Sequence, residues 1–265
     1  MSNSLTFFIR RILAAIPIII GITCLSFFLM KWAPGDPTQI YSDPSVSLED
    51  MYQIKENLGL NQPIYIQYFK WLSELMKGNM GYSYTSHQPV LTVILNRLPA
   101  TLLLSLSSLF FILIITFPLG LMCGKHQGST FDDCVAVGTF FGFSIPSFWL
   151  GLMFILLFSL TLNLFPTSGF LDPHLMDASW WQKGLNISTH IFLPLLTILV
   201  GGIASLTRYH RFGIIQILNQ DYIKAAHARG LSENIILFKH AFKNAALPII
   251  TILGLDLPSL ISGSF

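Results

Sequence analysis

Lysine, arginine, aspartate and glutamate are missing from long stretches of this chain, and that pattern limits what it can fold into. Ile12 to Met30 is 19 residues without a charge, Leu98 to Gly124 is 27, Cys134 to Leu171 is 38 and Gly184 to Thr207 is 24. Asn244 to Phe265 is 22 residues broken once, by Asp256. A hydrocarbon core of about 30 Å is crossed by roughly 20 helical residues, so each stretch holds one span. Lipid offers the backbone no hydrogen bonds, so a span must satisfy its own N–H and C=O groups as a helix. The expectation is an all-α, polytopic membrane bundle of five spans. Composition agrees: 11% of residues are charged, 52% are hydrophobic and mean hydropathy is +0.62, too little polar surface for a water-facing globule. A net charge of +2 gives no reason to expect nucleic acid.

The 38-residue stretch is too long for one helix. Its span is predicted within Asp133 to Leu160, bent at Pro146, with Pro166 and Gly169 in a loop. Arg10 and Arg11 precede the first apolar run, which is longer than the core of a secretory signal and has no A-x-A site after it, so it is read as a retained helix. The segment from Arg208 to Ala245 carries six basic residues against two acidic ones. Together with Arg10 and Arg11 it is assigned to the cytoplasm by the positive-inside rule. The divisions that follow are a tail and first span (1–30), an extracytoplasmic loop (31–99) and a core of spans two to five (100–265), the core carrying the basic loop 208–245.

No phosphate-binding G-x-x-x-x-G-K-[ST] loop, dinucleotide fingerprint or H-E-x-x-H pair occurs. Gly142-Phe143-Ser144 starts like a serine-nucleophile motif, but Pro146 stands where the second glycine belongs. The expectation is a non-enzyme that binds no cofactor or metal itself. Cys24, Cys123 and Cys134 lie in or beside spans, which leaves no disulfide scaffold.

The basic segment is the most informative. A helix is predicted up to Arg229, and Gly230 ends it by taking the left-handed conformation. Ser232 suits the N-cap of a second helix, with Glu233 in its first turn, and Pro248 suits the first turn of the last span. Small residues at Ala225, Ala226 and Gly230 allow close approach. Two readings stay open: the elbow packs on its own span ends, or it docks into a separate cytoplasmic protein.

Lys224-Ala225-Ala226, then Gly230, then Leu247-Pro248, resembles the cytoplasmic EAA loop of ABC-importer permeases. Further strings extend the likeness nearly end to end: APGDP (33–37), LGLNQPIYIQY (58–68), GNMGYSY (78–84), RLPATLLLSL (97–106), SIPSFWLGL (144–152) and LFPTSG (164–169). The chain is thereby similar to the first membrane subunit of the oligopeptide/dipeptide permease family. Lys224 replaces the acidic residue of the motif, which is usual for the peptide branch. That family also has a sixth span; the expectation is that this sequence, ending at Phe265, is a fragment or a truncated product relative to it.

The resemblance implies a type I ABC-importer permease fold in a bacterial inner membrane, with the N-terminus cytoplasmic. It implies a sister permease, two ATPase subunits carrying ATP and Mg, an extracytoplasmic substrate-binding protein and a peptide cargo. Lys224, Ala225, Ala226, Arg229, Gly230, Leu231, Ser232 and Glu233 become the candidate ATPase-coupling residues. The rival reading, an ion-coupled secondary transporter or channel subunit, would need titratable groups along its pathway; only Asp256 and His190 are available.

Asp256 falls near mid-membrane in the last span, where a carboxylate must face protein or water. It is read either as a translocation-pathway residue or as a helix-packing one. The loop 31–99 is rich in aromatics (Tyr41, Tyr52, Tyr65, Tyr68, Phe69, Trp71, Tyr82, Tyr84), with an amphipathic helix predicted in Gln62–Lys77. It is read as a docking surface or gate, or as a cap lying at the membrane interface. Gly201-Gly202, and Gly120 with Gly124, suit close helix packing.

Overall fold

The computed structural model describes residues 2–32, 61–83 and 85–262. Among them the secondary structure is helical, with one isolated bridge between Tyr82 and Pro89. Asp256 lies in the last helix, but its side chain is outside the described residues, as are Tyr41, Tyr52, Tyr84 and the APGDP segment. The chain forms two compact units, Met1–Asn96 and Arg97–Phe265.

In the first unit, α1 (Ser2–Trp32) is apolar around its circumference, as a helix surrounded by lipid should be. The predicted amphipathic helix is α2 (Ile64–Met76). It lays Tyr68 and Trp71 against Phe27 of α1, with ring centroids 5.5 and 5.7 Å from that of Phe27. The Tyr68 hydroxyl sits 3.0 Å from Thr23 Oγ1. Past the end of α2, Lys77 and Asn79 donate to Glu74, and the Lys77 bond first of all holds that carboxyl below its ordinary range.

The second unit takes α3 (Val90–Lys125) from Arg97 onward, α4 (Thr130–Ser144), α5 (Ser147–Phe154, continued as a π-helix through Ile155–Thr161), α6 (Trp180–Leu218), α7 (Asp221–Ala228), α8 (Glu233–Ile235) and α9 (Lys243–Ser262). α6 is the hub on which α4, α5 and α9 pack. Its start is fixed by a capping box between Ser179 and Gln182. Gly120 and Gly124 of α3 approach it so closely that a Cβ on Gly120 would lie 2.6 Å from His210 Nδ1, and one on Gly124 would meet Ile214. Gly202 meets Ile112 of α3 in the same way, while Gly201 faces open space.

Among the described residues four helices are long and apolar enough to cross a membrane, and the α4–α5 pair makes a fifth if counted as one span. The expected bend at Pro146 is a corner of 93°. A residue before proline is driven out of the α region, and Ile145 is extended at φ −79°, ψ 124°.

Three predicted boundaries move. α3 opens at Val90 rather than at Leu98, carrying Pro99 inside it. α6 runs past Thr207 to Leu218, so Arg208 and Arg211 extend the span as helix, and the helix predicted up to Arg229 is interrupted at Asn219–Gln220. Pro248 lies inside α9 rather than in its first turn, because α8, a π stretch (Ile236–Phe242) and α9 run on without a break. No glycine or proline interrupts Glu233 to Leu247, and Ala241, Ala245 and Ala246 favour helix.

Candidate coupling elbow

The elbow is built by a local rule at Gly230. The N–H of Leu231 reaches the carbonyl of Ala226 at 3.3 Å, and the N–H of Gly230 reaches that of His227 at 2.9 Å. This is a Schellman closure, which needs a left-handed residue, and Gly230 supplies it at φ +73°. Ser232 then takes an extended N-cap conformation without a side-chain cap bond, and its carbonyl accepts from Ile236 N–H at 3.1 Å.

One face of the elbow turns inward. Ile223, Ala226 and Ile236 are buried together, with Ile217 and Leu218 at the end of α6 packed on them. Further along, Leu237, Ala241 and Ala245 close on Leu121 of α3 and Ile214 of α6. The other face is open: Lys224, Arg229, Gly230, Leu231, Ser232 and Glu233 are exposed, and Ala225 is half-buried. The eight candidate residues therefore divide, with Ala226 in the packing and the rest toward the open side. Tyr222, Leu231, Ile235 and Phe238 add exposed apolar surface, Phe238 reaching 60%. Lys224 pairs with Asp221 at 2.9 Å within α7, and Glu233 lies 3.5 Å from Lys125 at the end of α3.

Behind the elbow lies a pair that residue spacing did not indicate. Asp132, in the first turn of α4, is 1% exposed. Its two oxygens accept Nε and Nη2 of Arg211 from α6 at 2.5 and 2.6 Å, and Oδ2 also accepts the Gly128 N–H at 3.0 Å. The guanidinium fork matches a carboxylate bidentately. Removing Arg211 would strand a buried carboxylate, at a cost below the about 3–5 kcal/mol of a fully buried pair because the Arg211 side chain keeps 20% of its exposure. In sequence, Arg211 counts only as one more basic residue and Asp132 as the edge of an apolar run; the two are 79 positions apart.

At the far end of the same unit, a cavity of about 690 Å³ opens between α5, the segment Pro166–Gly169 and α6. Buried His190 stands in its wall, with Nδ1 2.8 Å from the Asn186 carbonyl and Nε2 3.7 Å from Asp172. Asn186 in turn donates to Asp172 at 2.6 Å. Among the described residues no group of three His, Cys, Asp or Glu side chains is placed to hold a metal ion.

Residues 116–265 match the family model described as the binding-protein-dependent transport system inner membrane component, and residues 4–107 match that system's N-terminal membrane-component model. The chain belongs to this family. It is a multi-pass inner-membrane permease component and not itself an enzyme. Among curated relatives, the oligopeptide transport system permease protein AppB of Bacillus subtilis is 43% identical over 97% of this chain and 80% of its own length. The dipeptide transport system permease protein DppB of Escherichia coli K12 is 33% identical over 98% of the chain and 82% of its own. A putative peptide transport system permease of Brucella abortus is 34% identical over 97% and 79%. The elbow therefore lies within the stretch matched by the family's main model.

Proposed function

We propose that this chain is a transmembrane permease subunit of an ATP-driven peptide importer, and that the elbow couples it to a separate ATPase. One observation carries the coupling: a turn rooted on α6 and α9 by its buried face leaves its other face exposed among the described residues. The names of the relatives, which are oligopeptide, dipeptide and peptide permeases, favour a peptide cargo. In this reading the N-terminus and elbow are cytoplasmic and a sister permease completes the pathway. An extracytoplasmic binding protein delivers peptide. Two ATPase subunits bind ATP and Mg, and this chain binds neither.

Lys224, Ala225, Arg229, Gly230, Leu231, Ser232 and Glu233 meet the ATPase groove, and Ala226 holds the turn to its root. When the ATPases close, the elbow moves as a lever and shifts access from one side of the membrane to the other. Nucleotide does this only by favouring one arrangement over the other. Driving a two-state equilibrium from 1:99 to 99:1 takes about 5.5 kcal/mol of differential binding, within reach of nucleotide binding and subunit closure.

Gly230→Trp tests this. The variant is expected to insert and assemble, to hydrolyse ATP and to lose uptake. Normal ATP-coupled uptake would refute the lever. Asp256 is assigned to the pathway because a carboxylate within a span is costly without protein or water to solvate it. Unchanged uptake of every peptide by Asp256→Asn would remove it from that role. The α2 region is assigned to docking of the binding protein; deleting 62–77 should weaken binding-protein affinity without lowering the stability of the remainder.

A further inference from the structure

The elbow touches more than its own helices. At one edge Glu233 meets Lys125, the last residue of α3. At the other, Leu237 and Ala241 grip Ile214, which is three residues beyond Arg211 on α6 and so on nearly the same face. Arg211 holds Asp132, and Asp132 holds the Gly128 N–H in the short turn between α3 and α4. That turn depends on Gly128 at φ +75° and on Ser129 Oγ, which accepts from the Asp132 N–H at 3.2 Å. Of the fifteen residues of α4, Asp132 is the one that is buried. The helix is thus tied at this end through a charged handle rather than an apolar one. Beyond α4 come the 93° corner and the cavity-lining α5.

We propose that Asp132, Gly128 and Arg211 form a positioning clasp that makes the α3–α4 turn part of the moving lever, so that displacement of the elbow is delivered through Arg211 to the bent α4–α5 arm. This rests on the coupling reading above and extends it. Asp132 and Arg211 touch neither cargo nor nucleotide; they act by fixing α4 to α6. An apolar pair of similar volume could hold two helices together as firmly. The fork adds direction, because two parallel N–H···O bonds resist rotation of one helix about the other.

The experiment uses the whole importer, with its ATPases and binding protein, in proteoliposomes supplied with an equimolar pool of labelled di-, tri- and tetra-alanine. ATP hydrolysed and peptide taken up are measured in the same vesicles, per assembled complex. Asp132→Asn should raise the ATP spent per peptide about tenfold or more, with ATPase activity within about twofold of wild type. If Asp132→Asn fails to assemble, Asp132→Leu/Arg211→Met restores an apolar contact and should assemble, yet stay as poorly coupled. Native coupling in either assembled variant overturns the clasp, as does uptake and hydrolysis falling together with the amount of complex. Gly230→Trp runs beside them. If it uncouples while the clasp variants do not, the clasp alone is wrong. If it stays coupled, the elbow reading fails and takes the clasp with it.

Discussion

The two ends of the 97–265 unit are built differently. At the elbow end, Thr116, Cys123, Thr207, His210, Ile214, Ile236, Ala241 and Ile249 are almost wholly enclosed by neighbouring helices. Phe117, His210 and Phe242 meet edge to face there. At the other end, α5, Leu104 and Ile112 of α3, and α6 between His190 and Gly202 line an open cavity of about 690 Å³, and Phe148 and Trp180 stand exposed. Close-packed interiors transmit displacement because they hardly deform. A wall lined by space can move without breaking contacts. Under the proposed coupling reading, this contrast would place stiffness at the elbow and room to rearrange at the cavity.

The sharpest way to break this contrast is a truncation at each end. Ile214→Ala should lower stability by about 3 kcal/mol, from lost burial plus the cavity left behind. Phe148→Ala should cost less than about 1 kcal/mol, since that ring is exposed in the isolated chain. Thermal unfolding of the two variants in detergent compares them directly, and equal losses would erase the distinction between the ends. Overpacking gives the next largest effect. Gly124→Leu must displace Ile214 and should cost about 1–3 kcal/mol, whereas Gly201→Leu, facing open space, should be near neutral by the same measurement.

Smaller effects separate buried from exposed polar links. Tyr68→Phe removes the hydroxyl beside Thr23 and should cost about 1 kcal/mol. A double cycle with Thr23→Val checks that the loss belongs to that pair. Least of all, Glu233→Gln should change stability by less than about 0.5 kcal/mol, because its carboxylate is largely in solvent opposite Lys125. A large loss would mean that the elbow is held at its rim rather than from beneath.

Some of this was readable along the chain. The charge-free stretches gave the spans because lipid leaves the backbone one local solution. Gly230 marked the end of α7 because a left-handed closure calls for glycine. Pro146 marked a break for an equally local steric reason. The angle of that break did not follow, since it depends on how α5 packs on α6. The length of α6 and the run of α8 into α9 were also hidden, because charge marks a membrane boundary and a helix can continue past one.

The candidate coupling residues show the same division at the level of side chains. Composition picked out Ala225, Ala226 and Gly230 together as small, yet packing put Ala226 inside, Ala225 half inside and Gly230 out. The pairing of Asp132 with Arg211 had no signal in spacing at all. The sequence by itself determined where the apolar spans lie and where the elbow turns, since those outcomes rest on backbone sterics and solvation within a few residues. Tertiary structure alone decided which face of the elbow is open and which carboxylate meets which guanidinium. Those depend on groups brought together from distant positions, and charge or size at one position does not name its partner.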